Sequence, residues 1–149
     1  MQILNLQCNK PSKTVLNKDL NLLKTEASEM FKLCHEKLGR FPGALALAHC
    51  QVNHLNPLRF FVTKLGELII NPRIVEIIDD NTVNSFEGCM SYAFRNEIKV
   101  KRFKKIKVSF QEILKSGKLS KPKIKIVEDL TAFIFQHEID HFNGKSIYS

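Results

Sequence analysis

The residues best suited to chemistry crowd toward the C-terminal end of the chain, in Gln136-His137-Glu138-Ile139-Asp140-His141. On a helix, side chains four apart share a face, so the imidazoles of His137 and His141 can reach one metal ion while Glu138 stands beside its open position. Such an arrangement suits a metal-dependent hydrolase, in which a carboxylate takes a proton from an activated water. A catalytic ion of this type takes three protein ligands. The third is not downstream, because only eight residues follow His141, none is acidic, and Ile147 stands where a His-x-x-Gly-x-x-His continuation needs histidine. It must come from upstream. Cys89, beside Gly88 in Phe86-Glu87-Gly88-Cys89-Met90-Ser91, is the best candidate, since a thiolate binds strongly and offsets part of the ion's charge; Cys50 and His54 are weaker ones.

These residues need a helix that presents them inward. Leu130, Phe133 and Ile134 precede the histidines at spacings of three and four, so the spacing predicts a helix over 129–143, with Asp129 as N-cap and Gly144 closing it. A second amphipathic helix is predicted from Asp19, on Leu20, Leu23, Ala27, Met30, Phe31, Cys34 and Leu38, ending at Gly39 and Pro42. Between the two, the run from Phe41 to Gln51 alternates small and large residues and closes on an amide, which ends a strand or faces a developing oxyanion. Leu58 to Thr63 and Leu68 to Ile70 read as a hairpin around Gly66; Arg73 to Ile78 reads as a further strand before an Asp79-Asp80-Asn81 loop. Around the Ser116-Gly117 turn, Ile106, Val108 and Phe110, then Ile124 and Ile126, alternate with lysines, predicting two strands with an apolar and a solvated basic face.

At 149 residues and 44% hydrophobic, the chain is expected to form one domain over 1–149. It carries no long apolar run and no leader-like start, so no membrane span or export is expected, and a cytoplasmic site is. Four cysteines without a Cys-x-x-Cys pair fit free thiols in a reducing compartment. The net charge of +8 suits an anion-rich partner such as RNA, although few aromatic side chains interleave the lysines to stack bases.

Three stretches together resemble the peptide deformylase family: Ala44-Leu45-Ala46-Leu47-Ala48-His49-Cys50-Gln51 against its Gly-x-Gly-Leu-Ala-Ala-x-Gln block, Glu87-Gly88-Cys89-Met90-Ser91 against Glu-Gly-Cys-Leu-Ser, and Gln136 to His141 against Gln-His-Glu-x-Asp-His. The resemblance implies an α+β fold, antiparallel sheets packed around a central metal-binding helix with an N-terminal helix beside them. It implies one divalent ion on Cys89, His137 and His141, Fe(II) natively with zinc, nickel or cobalt able to replace it. Glu138 would be the general base; the Gln51 amide and the backbone N–H of Met90 would stabilise the oxyanion. The substrate would be the N-formyl-methionyl end of a nascent peptide, its side chain against Leu130, Phe133 and Ile134 with Leu45 and Ala46 opposite, and formate would be released. Glu87 is expected to pair with Arg102. A monomer is expected, with contact to the ribosome or its RNA through basic surface. The chain departs from the family pattern at Ala44, Ala46 and His49, lacks the proline usual after Ser91, matches the family's arginines at Arg95 and Arg102 only with a one-residue shift, and stops before the C-terminal helix by which longer members dock on the ribosome.

Overall fold

A computed structural model describes residues 1–4, 8–37, 45–89, 91 and 97–148. The fold is α+β. Helix α1 (Leu20–Lys37) is followed by strands β1 (Ala46–Ala48), β2 (Phe60–Thr63), β3 (Leu68–Glu87), β4 (Ile98–Gln111) and β5 (Lys123–Glu128), and helix α2 (Asp129–Phe142) comes last. The strands form one antiparallel sheet in the order β1-β2-β3-β4-β5.

Strand β2 shows why the two helices lie on opposite faces of that sheet. Its sequence, Phe-Phe-Val-Thr, is buried at every position. Successive side chains point to opposite faces, so Phe60 and Val62 meet Leu23, Ala27 and Met30 of α1, while Phe61 meets Phe135 and Phe142 of α2. Phe61 and Phe135 pack edge to face at 5.4 Å between ring centres. The helical stripe of Leu20, Leu23, Ala27, Met30 and Cys34 is buried as its spacing predicts, and each large side chain removed from water there contributes about 1.5–3 kcal/mol. The residues expected to end this helix, Leu38, Gly39 and Pro42, lie outside the described residues, as do Ala44, Met90 and Arg95.

The expected break at Asn71-Pro72 and loop at Asp79-Asp80-Asn81 are not observed. Both lie inside the 20-residue strand β3, which pairs with β4 through four register shifts. Asn71 adopts the left-handed conformation (φ 51°) at the first shift and is held there by Val15 N–H donating to its Oδ1 and by its own amide donating to Gln111. Bulges thus absorb residues that break a regular ladder.

Strand β5 inverts its expected faces. Lys125 lies opposite the buried Val108, which places the lysine on the inner face, whereas Ile124 and Ile126 are 59% and 51% exposed. The strand is at the sheet edge, where a lysine stem can lie along apolar surface and carry its ammonium outward. Its one buried side chain, Val127, sets the register.

The cysteines also depart from expectation: Cys8 is bonded to Cys50, closing 42 residues of sequence separation, while Cys34 and Cys89 are free thiols. The bond ties the N-terminal segment to the three-residue 3-10 turn His49–Gln51 that follows β1. No described helix is long and apolar enough to cross a membrane.

Candidate active site

Helix α2 is the frame of the site. Its N-cap is Glu128, in extended conformation and without a side-chain cap bond, in place of the expected Asp129, which has φ 54° and opens the first turn. At the other end, Gly144 takes φ 77° and donates to the His141 carbonyl, the left-handed closure that glycine favours. Midway, Gln136 clamps the helix to β4: Phe103 N–H donates to its Oε1 at 2.9 Å, and its Nε2 donates to the Phe103 carbonyl at 2.8 Å. The helix is thereby fixed in rotation, with Glu138 and His141 buried.

Cys89, just beyond the end of β3, meets both histidines. The ligating atoms of Cys89, His137 and His141 lie within 4.8 Å of one another, and Cys89 Sγ is 3.5 Å from His141 Nε2. Of the weaker ligand candidates, Cys50 also lies within 4.8 Å of a His141 nitrogen together with Cys8, but those two sulfurs are bonded to each other, and His54 belongs to no donor group among the described residues. A chain of charges orients His137. Asp140 accepts from Arg102 Nη1 at 2.8 Å, Arg102 donates through Nε and Nη2 to both oxygens of Glu87 at 2.9 and 2.7 Å, and Glu87 Oε1 accepts from His137 Nδ1 at 2.8 Å. The carboxylate accepts only, so Nδ1 carries a proton and Nε2 is the nitrogen left to face Cys89.

The surrounding charges accommodate a cation. Burial disfavours charge on His137, yet its hydrogen bonds to Cys89 and Glu87 and the charge of Glu138 push it up to about 10. His141 is held well below its ordinary value by burial and by the positive His137 and Arg102. Burial would also raise Glu87, but its bonds from Arg102 and His137 prevail and keep it at about 2. The His137 imidazole, so held, binds a metal only once its Nε2 proton leaves, so a divalent ion would take that proton's place among Cys89, His137 and His141, a Cys-His-His donor set.

Glu138 is the unusual group. Only 2% exposed, it has Oε2 without a hydrogen-bond partner, and burial pushes its carboxyl up to about 7. It faces a cavity of about 210 Å³ together with Gln51, Cys89 and His137. Leu45, Ala46, Leu130, Phe133 and Ile134 line the same cavity, whereas Ala48 turns into the core.

Gln51 is held from two directions. Ala48 N–H donates to its Oε1 at 2.8 Å, which fixes the amide so that Nε2 donates to Ser91 Oγ at 2.9 Å and points at Cys89 Sγ, 3.4 Å away. Two features of the site are not foreseen from the sequence: the Ser91 hydroxyl, although it closes the Glu-Gly-Cys-Met-Ser stretch, and the bond that His137 donates to Glu87. Neither has a local signal, since Glu87 and His137 are 50 residues apart.

A sequence model of the polypeptide deformylase family matches residues 2–149. The peptide deformylase of Thermotoga petrophila is 38% identical over 89 residues, which are 58% of this chain and 50% of that protein. The matched stretch spans about half the length of that relative. Among solved structures, the peptide deformylase of Thermotoga maritima has a TM-score of 0.75 at 33% identity, covering 95% of this chain and 88% of that one. The peptide deformylase of Plasmodium falciparum has a TM-score of 0.80 at 28% identity, covering 97% and 83%.

Proposed function

The chain belongs to the polypeptide deformylase family, and from that premise we propose that it removes the formyl group from the N-terminal methionine of newly made polypeptides. Water adds across the amide, giving formate and a free amine. The observation that carries this reading is the buried Glu138 carboxyl, its Oε2 without a hydrogen-bond partner, lining a pocket together with Cys89 and His137 of the Cys89-His137-His141 cluster.

In this reading Cys89, His137 and His141 hold one divalent ion, Fe(II) by family likeness, with zinc, nickel or cobalt as substitutes. Bound there, the ion supplies Lewis acidity and lowers the pKa of water. Glu138, at about 7, takes the proton of the attacking water at neutral pH and returns it to the departing amine. By family likeness, the Gln51 amide and the Met90 backbone N–H stabilise the charge that develops on the formyl oxygen. Leu130, Phe133 and Ile134 receive the methionine side chain, with Leu45 and Ala46 opposite; an apolar wall suits a flexible thioether. We take residues 1–149 as one catalytic domain, a monomer that meets nascent chains in the cytoplasm, its basic strands toward the ribosome.

The test is direct. Protein purified without oxygen, given formyl-Met-Ala-Ser, should release formate stoichiometrically with new N-terminal amine. Absence of formate with a full complement of metal would overturn the reading, and cleavage of internal peptide bonds would replace it with a protease.

A further inference from the structure

The turn that carries Gln51 is anchored by a polar pair, a buried histidine and a half-buried glutamate, that the deformylation chemistry does not use. His49 is 0% exposed and stacks on Phe60 with ring centres 4.6 Å apart. Its Nδ1 accepts from Leu58 N–H at 2.8 Å, so the proton must sit on Nε2, and Nε2 donates to the Glu26 carboxylate on α1. Both ring nitrogens are therefore satisfied, and the ring cannot flip without leaving one of them unpaired. The same residue's carbonyl accepts from Val52 N–H at 3.0 Å and Asn53 N–H at 2.9 Å, closing the turn. Ala48 and Gln51 flank it, joined by the Ala48 N–H to Gln51 Oε1 bond that sets the direction of the amide. A displaced His49 ring would carry this short turn with it.

We propose that His49 and Glu26 are positioning residues for the Gln51 amide: the Glu26-His49-Leu58 chain of hydrogen bonds ties the catalytic turn to helix α1 and holds Nε2 of Gln51 toward the reacting group. The idea rests on the proposed deformylase reading for its kinetic consequence and on geometry alone for its structural one. An oxyanion donor works only when its distance and angle are set in advance, and a displacement of about 1 Å can lower a rate 10²-fold. A bond relayed from the far helix sets them without touching substrate. Burial lowers the basicity of His49 against the pull of Glu26, so the relay operates with a neutral ring.

Glu26 lies at the rim of the core, so its substitution leaves the fold in place even where His49→Ala does not. Glu26→Ala is expected to lower kcat about tenfold with KM changed less than twofold, and Glu26→Gln, whose amide oxygen still accepts the Nε2 proton, is expected to recover most of the loss. In a Gln51→Ala background the Glu26→Ala change should cost less than twofold more, because the amide it positions is gone. Additive losses, or a lowered melting temperature with unchanged kcat, would make the pair a purely structural contact and end the proposal. A second readout does not depend on turnover: the side-chain NH₂ resonances of Gln51, assigned by their loss in Gln51→Ala, should shift in Glu26→Ala and return in Glu26→Gln. Unchanged resonances would also end it. A wild-type protein that releases no formate would refute the functional reading while leaving this measurement decisive.

Discussion

Single side chains divide the work of the site, and their removal should separate it. Cys89→Ala, His137→Ala and His141→Ala each delete a donor from a group whose atoms lie within 4.8 Å, and elemental analysis of each purified variant should show the stoichiometric ion lost. Retention of a full equivalent by all three would refute the ligand set. Glu138→Ala removes no donor; metal content should stay at one equivalent while turnover falls by about 10²- to 10⁴-fold. Glu87 gives a different kind of test. Its folded value near 2 lies below its ordinary 4.5, so the carboxylate contributes stability that is complete above about pH 4.5 and disappears as pH falls toward 2. The shift is worth about 3 kcal/mol. In urea unfolding of chelator-treated protein, wild type should lose stability over that window and Glu87→Gln should not; parallel curves would show that the Arg102 and His137 bonds carry no such energy.

Local elements were legible in the sequence to different depths. The 3.6-residue period of Leu20, Leu23, Ala27, Met30 and Cys34 and the i, i+4 histidines required no tertiary information, and both helices follow. The sequence does not show β3 as one strand, because Asn71-Pro72 and Asp79-Asp80-Asn81 are turn formers locally; only the long partner β4 makes bulges of them. The inverted faces of β5 have the same origin, since Ile124 and Lys125 alternate identically whichever side is buried, and the choice falls to one residue, Val127. The Cys8–Cys50 bond was illegible because its partners are separated by 42 residues and meet through the fold alone. A bond closing a loop of that size should contribute about 2–4 kcal/mol, so Cys8→Ser, or reduction of the wild type, should lower the unfolding free energy by that amount. Equal denaturation midpoints for reduced and oxidised protein would show the bond to be energetically idle.

Across the whole molecule the site joins parts of the chain that share no local contact in sequence: Cys89 leaves the end of β3, and His137 and His141 come from α2 at the far end of the chain. An ion held by all three is a cross-link present in the folded protein and lost on unfolding, so binding free energy becomes folding free energy. With free ion at 100 times its dissociation constant the gain is about 2.7 kcal/mol, and in a domain of this size each kcal/mol raises the melting temperature by about 2–4 °C. Chelation should therefore lower the melting temperature by roughly 5–11 °C, and restoring Fe(II), or zinc, nickel or cobalt, should reverse the loss. The size of the recovery with each ion ranks their affinities. Cys89→Ala should melt at the same temperature with and without added metal, because one of its three donors is absent. A metal-dependent shift that survives in Cys89→Ala would move the ion away from this cluster and require a different ligand set, whereas its loss there and in His141→Ala ties the stability of the whole fold to the donors that organise its chemistry.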